Sequence, residues 1–231
     1  MNKILFILVS VEGYKQFNWY YDNRIHNFGN IGLGGKFHAF MAPHTSKIID
    51  KISYDNVNIR FKSIYNCLPY TDNKNIRILD FGCGVGISSS SIQYAFPKAK
   101  ITGIDCSVSM LNNCPKYKDI EFKKELVHRT SYNDESIDLI NCMFLFHEAP
   151  SHGRKEIFEE INRILKPGGL LNIMDIRLSY DPNRFMLSGE PFLLDYLDNF
   201  RDELSDLPFK DLEKPPVSNR QLDLLLKKIE S

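Results

Sequence analysis

ILDFGCGVGISSSS, residues 78–91, decides the reading of this chain. Ile78 and Leu79 suit a strand buried on both faces, while Gly82, Gly84 and Gly86 permit backbone conformations that a Cβ forbids and let a ligand lie against the main chain. The serines at 88 to 91 supply an N-cap for a following helix. A strand, a glycine turn and a helix N-terminus together form a seat for a polar, nucleotide-like ligand. Beyond it, KITGID at 100–105 ends in Asp105, near the spacing of about 20 residues at which an acid on the next strand meets a ribose diol.

Working outward, residues 76 to 176 alternate short apolar runs with amphipathic segments, the pattern of a parallel α/β sheet. Strands are expected at 76–80, 100–105, 120–123, 137–146 and 170–176. Helices are expected at 88–96, stopped by Pro97, and at 107–113, stopped near Pro115. Ile157, Phe158, Ile161, Ile164 and Leu165 recur at helical spacing, so 152–165 reads as a helix with its apolar stripe on the sheet, ended by Pro167, Gly168 and Gly169.

ILDFGCGVG, ITGIDCSVSML, SIDLINCMFLFHE and INRILKPGG, in this order and spacing, resemble the class I S-adenosylmethionine-dependent methyltransferases. The likeness covers about residues 76–176. It implies a three-layer, Rossmann-like α/β sheet and S-adenosylmethionine as cofactor. It further implies that Asp80 and the loop Gly82, Cys83, Gly84 and Gly86 hold the methionine end, that Asp105 takes both ribose hydroxyls, and that Cys106 and Met110 lie beside the adenine. Met143 and Phe144 would flank the sulfonium. The family often reads the adenine amino group with an acid or amide after the third strand; here Leu126, Val127 and His128 align instead, so His128 is the named candidate and Glu125 stays open. The implied reaction is methyl transfer to O, N or C of a small-molecule acceptor. His147, with Glu148 beside it, stands where a base would remove an acceptor proton, although such a pair also serves to order the loop and the helix start.

The rest of the chain bounds this reading. Lys+Arg and Asp+Glu both number 29 of 231 residues, so no net field draws the protein to nucleic acid or an acidic membrane. A hydrophobic content of 43% supports a full core. The cysteines, Cys67, Cys83, Cys106, Cys114 and Cys142, form no CxxC pair and fit reduced thiols in a cytoplasmic compartment. Lys3 followed by ILFILVSV has two readings, a secretory signal or anchor and a packed N-terminal segment, and is too short to span a bilayer as a helix.

The chain divides into an N-terminal helical lid segment (1–70), a cofactor-binding core (71–178) and a C-terminal helical segment (179–231). RIHNFGNIGLGGKFHAF, with Gly29, Gly32, Gly34 and Gly35, reads as a lid, and helices are expected at about 44–53 and 57–68. His26, His38 and His44 with Tyr14, Trp19 and Tyr20 are candidates to line the acceptor pocket; His38 and His44, six apart, fall on different helix faces, and no metal is expected. In SGEPFLLDYL, Glu190 and Tyr196 are candidate acceptor contacts, against the simpler reading of a helix start behind Pro191. Residues 191–203 and 219–229 read as helices.

Such methyltransferases end in an antiparallel strand pair, yet residues 177–231 show no alternating β-branched run. The pair is therefore expected to be missing. Strand five would then be an open edge, to be covered by the C-terminal helix or by a second copy in a homodimer. Two rival readings follow, a cofactor-binding scaffold without turnover and an NAD(P)-dependent oxidoreductase, the latter lacking a true GxGxxG and a Tyr/Lys pair.

Overall fold

The computed structural model describes residues 18–29, 32–53, 58–71 and 75–229. The apolar run after Lys3, and Tyr14, lie outside the described residues. A seven-stranded sheet runs through the molecule in the order β3-β2-β1-β4-β5-β7-β6. Its parallel part comprises β1 (Arg77–Phe81), β2 (Lys100–Asp105), β3 (Ile120–Lys124), β4 (Ile137–Met143) and β5 (Leu165–Ile176). The expected strands are all present.

Alternate residues of each strand enter opposite cores, which explains why these segments read as continuous apolar runs. Ile78, Leu139, Leu170 and Leu225 pack on one face with Ile59 and Ile64 of α2 (Ile59–Tyr65) and Ile92 of α3 (Ile87–Ala95). Leu79, Ile140, Leu171 and Leu226 pack on the other with Ile157, Phe158 and Ile161 of α5 (Ser151–Ile164) and Leu193 and Phe200 of α7 (Leu193–Ser205). Helices on both faces make three layers.

The C-terminal end corrects the expectation from sequence. β6 (Phe209–Asp211) and β7 (Gln221–Lys228) are present, and β7 pairs antiparallel with β5 from Leu170↔Lys227 to Ile176↔Gln221. Residues 219–229 are thus not helical. The terminal antiparallel pair exists, and the β5 edge through which a second copy was expected to pair is already occupied. Lys166–Gly169, expected to be only a helix stop, belongs to the irregular start of β5: Ile137 pairs with Leu165 but Leu139 with Leu170, and Gly168 has φ +74°.

The N-terminal flank also departs from expectation. The helix expected at about 44–53 begins earlier, inside the glycine-rich segment read as a lid: α1 (Gly32–Ser53) has Pro43 within it. Gly34 allows this start, because a Cβ there would collide with the carbonyl oxygen of Phe28. α1 packs beside α4 (Val108–Leu111), so the flank still leans over the C-terminal ends of β1 and β2. α6 (Arg184–Gly189) packs on the turn Ile25–Asn27 from the opposite side. Among the described residues no helix is long and apolar enough to cross a membrane.

Candidate active site

The strand order reverses between β1 and β4, and at such a switch point the carboxyl ends of the strands leave a crevice. Two adjoining chambers occupy it, of about 100 and 350 Å³. Together they reach the range of about 300–1,000 Å³ usual for small-molecule sites.

The inner chamber is lined by Gly82, Gly84, Asp105, Cys106, Met110, Leu126, Val127 and His128, under a cover of Trp19, Tyr20 and Ile25. Asp105 is held at the tip of β2: Gly84 N–H donates to Oδ2 at 2.9 Å and Ser107 N–H to Oδ1 at 2.8 Å. Each oxygen keeps lone-pair capacity for a further donor. Burial raises the Asp105 pKa to about 6, against the pull of those two N–H groups. Gly82 and Gly84 have φ of +65° and +53°, and a Cβ on Gly84 would meet nothing within 4 Å. Bare main chain therefore faces open space, the cradle that a bound nucleoside's amino-acid tail requires. Burial lowers the pKa of His128, its Nδ1 is buried without a partner, and its ring lies against Tyr20.

The outer chamber takes in Cys83, Met143, Phe144, His147, Glu148, Glu190, His26 and His38. Of the candidates drawn from the sequence, Asp80 and Gly86 do not line either chamber. Asp80 is wholly buried and accepts hydrogen bonds from Ser88 (2.7 Å), Ser89 (2.6 Å) and Asn141 (2.7 Å), so it fixes the loop from beneath. Gly86 serves the turn: its φ is +81°, and a Cβ would lie 2.9 Å from Phe122. Tyr196 is a core residue whose hydroxyl donates to the Ile176 carbonyl at 2.7 Å, which corrects its candidacy as an acceptor contact. His44 lies outside both chambers and Glu125 accepts from Ser131.

A chain of ionisable groups, buried at His147, Asp175 and Glu190 and half-buried at His26 and Glu148, walls the outer chamber. His147 Nδ1–H donates to Asp175 Oδ1 at 2.6 Å, and Asp175 also accepts the N–H groups of Phe146 and Ile176. Burial opposes a charge on His147, but Asp175 and then Glu190 raise its pKa to about 9. His26, in a left-handed backbone conformation with φ +51°, sits 2.9 Å from Glu148 through Nε2 and 2.8 Å from Glu190 through Nδ1. Two carboxylates demand protons on both nitrogens, so His26 is an imidazolium; despite burial, its pKa stands well above the usual value. His38, its ring tilted against that of His26 at 4.2 Å, is pushed down to about 4 by burial and the neighbouring charge.

Sequence reasoning missed Asp175 and Arg60. Asp175 carries a local signal, an acid ending a strand at the same sheet edge as Asp80. Arg60 carries none, since only the tertiary fold brings α2 to the outer chamber, with its guanidinium 4.7 Å over the Phe144 ring.

A family model described as a methyltransferase domain matches residues 78–169. Over residues 78–169 the chain is thus similar to a methyltransferase domain, in line with the resemblance to the class I S-adenosylmethionine-dependent methyltransferases read from its sequence. The malonyl-[acyl-carrier protein] O-methyltransferase of Legionella pneumophila is 31% identical over 112 residues, covering 47% of this chain and 39% of that protein. The ribosomal RNA large subunit methyltransferase G of Pseudoalteromonas translucida is also 31% identical, over 137 residues, 54% of this chain and 35% of that protein. The chain thus spans well under half the length of these two relatives. A solved S-adenosylmethionine-dependent methyltransferase from Aquifex aeolicus shares the fold with a TM-score of 0.59 at 19% identity, over 74% of this chain and 92% of that one. S-adenosylmethionine is the cofactor of such a domain, and the observed cradle fits it: exposed glycine backbone, a carboxylate with spare acceptor capacity, and an unfilled polar atom on His128. The terminal strand pair, whose expected loss suggested a scaffold without turnover, is in place beyond the matched residues.

Proposed function

We propose that the protein transfers a methyl group from S-adenosylmethionine to a small-molecule acceptor in the cytoplasm. The carrying observation is Asp105 at the tip of β2, hydrogen-bonded to the backbone of the same loop whose Gly84 faces open space. In this reading Asp105 takes the ribose hydroxyls, Gly82, Cys83 and Gly84 carry the methionine tail, and Cys106, Met110 and His128 surround the adenine. Arg60 suits the tail's carboxylate, because a guanidinium pairs with a carboxylate through two parallel N–H donors. Asp80 and Gly86 act one step back, as supports of the loop.

The cofactor supplies a methyl group on a sulfonium that already carries the positive charge. The protein's work is therefore alignment and exclusion of water. Met143, Phe144, Ile176 and Met186 form apolar walls beside the His26–Glu190 pair, and the segment Trp19–His26 closes the cleft from above. A small acceptor is supported by this walled cleft and by a formal net charge of +0, whereas a phosphate backbone recruits basic surfaces. Free thiols at all five cysteines, two of them beside the cleft, support a reducing compartment.

Calorimetry with S-adenosylmethionine, S-adenosylhomocysteine and NADH tests the reading. Binding of the two methyl-cycle ligands without NADH is expected; NADH binding alone would reject it. Labelled methyl transfer into a metabolite extract and into ribosomal RNA then separates the small-acceptor reading from the one suggested by the RNA-modifying relative. Label in small molecules supports the proposal, and label in RNA alone overturns its acceptor class.

A further inference from the structure

We propose that the acceptor presents a hydroxyl group, held between Nε2 of His147 and Oε2 of Glu190, and that Glu190 receives its proton. This rests on the methyltransferase reading above and names its substrate class.

The two atoms are 3.9 Å apart. That is too long for a hydrogen bond between them, and an oxygen seated between the two would lie within bonding distance of both. The groups around them are already engaged. Asp175 takes His147 Nδ1–H and two backbone N–H groups, Glu190 Oε1 takes His26 Nδ1–H, and Glu148 takes His26 Nε2–H. Glu190 Oε2, in a buried side chain, has no donor. A carboxylate oxygen in that position calls for an N–H or O–H group on whatever fills the chamber.

His147 narrows the choice. Facing Asp175, Glu190 and Glu148, with His26 next in the chain of charges and the Tyr196 ring edge-on, it is an imidazolium at neutral pH and offers an N–H from Nε2. A hydroxyl answers both partners with one atom: its O–H donates to Glu190, one lone pair accepts from His147, and the second lone pair stays free for the methyl carbon. A neutral amine that accepted from His147 would have no lone pair left to attack, an ammonium would meet the imidazolium with like charge, and a carbon nucleophile would leave Oε2 unfilled. The apolar walls, Met143, Phe144, Ile176 and Met186, make this a hydroxyl on an apolar body.

The step balances without another reactant. The oxygen lone pair forms the C–O bond, the S–CH₃ bond breaks with its electron pair passing to sulfur, and the hydroxyl proton goes to Glu190 Oε2. The products are a methyl ether, the neutral thioether and a protonated Glu190. His147 keeps its proton throughout, which revises its candidacy from base to donor toward the acceptor oxygen.

The first test needs no turnover. Histidine ring ¹H–¹⁵N spectra of the full chain are recorded with phenol, aniline and toluene as probes. Phenol is expected to shift the His147 Nε2 signal and to bind at least ten-fold more tightly than aniline or toluene; equal binding of the three, or no effect of phenol on His147, overturns the proposal. Glu190→Gln and His147→Asn should each weaken phenol at least ten-fold while changing affinity for S-adenosylmethionine less than two-fold. Unchanged phenol affinity in both variants also overturns it, and the wild-type contrast decides the matter should either variant fail to fold. Finally, labelled methyl groups recovered from extracts are expected as ethers. Label on nitrogen or carbon, in a protein that binds S-adenosylmethionine, overturns the hydroxyl assignment alone; no binding of S-adenosylmethionine by the wild type overturns the underlying reading instead.

Discussion

Asp105 carries two opposing demands. Burial favours the protonated acid and raises its pKa from 3.8 to about 6, while a ribose diol needs a carboxylate as acceptor. A folded-state acid with a raised pKa makes the ligand-free protein less stable as pH climbs from about 4 to about 6, with no further change above. Affinity for S-adenosylmethionine has the opposite slope: calorimetry should show it rising through pH 6 and level by pH 7.5, and Asp105→Asn should remove that dependence. Asp105→Ala is expected to weaken binding by about 1.5 to 3 kcal/mol, the value of charge-assisted hydrogen bonds to two hydroxyls. An unchanged affinity would sink the assigned role. His147 has a raised pKa of the other kind, a base moved from 6.5 to about 9. Its contribution to stability is fully present below pH 6.5 and is lost as pH rises through 9. Urea unfolding at pH 6, 7.5 and 9 should show a decline that His147→Asn flattens.

At the level of elements, β7 teaches most about what a sequence conceals. Leu222, Leu225, Leu226 and Ile229 fall at helical spacing and leucine is a good helix former, so the local signal is a real one. The open edge of β5 overrides it, because that edge offers a ladder of backbone partners and two cores for alternate side chains. Leu225→Ala, at a wholly buried position, should lower stability by about 2 to 5 kcal/mol in urea titration; a surface-like loss under 1 kcal/mol would contradict the strand. By contrast, β1, β2, β4 and α5 were legible because burial on both faces or on one stripe writes itself directly into residue order. The glycine loop and Asp105 were legible for a related reason: each is a short local segment, and a single parallel pairing of β1 with β2 brings the two together. The His26–Glu190–His147–Asp175 wall was not, since its members come from the Ile25–Asn27 turn, the end of α6, the Phe146–Glu148 turn and β5. Gly86 belongs to this scale too. Its backbone is left-handed, and a methyl group added there would sit 2.9 Å from the Phe122 ring. Gly86→Ala should therefore cost about 1 to 2 kcal/mol and loosen the loop that meets Asp105.

Across the whole molecule, a line of buried polar side chains crosses the sheet. Asp80 accepts from Asn141, Asn141 accepts from Asn172, and Asn172 meets Lys214, which pairs with Asp223 of β7 at 2.6 Å; Ser63 of α2 donates to the same Asp223. Removing one charge from such a pair costs more than the pair contributes, because the partner remains buried and alone. Lys214→Met should therefore destabilise by about 3 to 5 kcal/mol, and Lys214→Met with Asp223→Leu should recover most of that; equal losses in the single and double variants would count against a coupled pair. The same line ties the floor beneath the glycine loop to the last β-segment. A protein clipped after residue 218 would keep every side chain proposed to touch the nucleoside, yet its anchoring carboxylate at 223 would be gone and the asparagine ladder would end in a stranded lysine. Loss of ligand affinity in such a clipped form, with the crevice chemically intact, would mark the far margin of the sheet as the keel of the binding pocket.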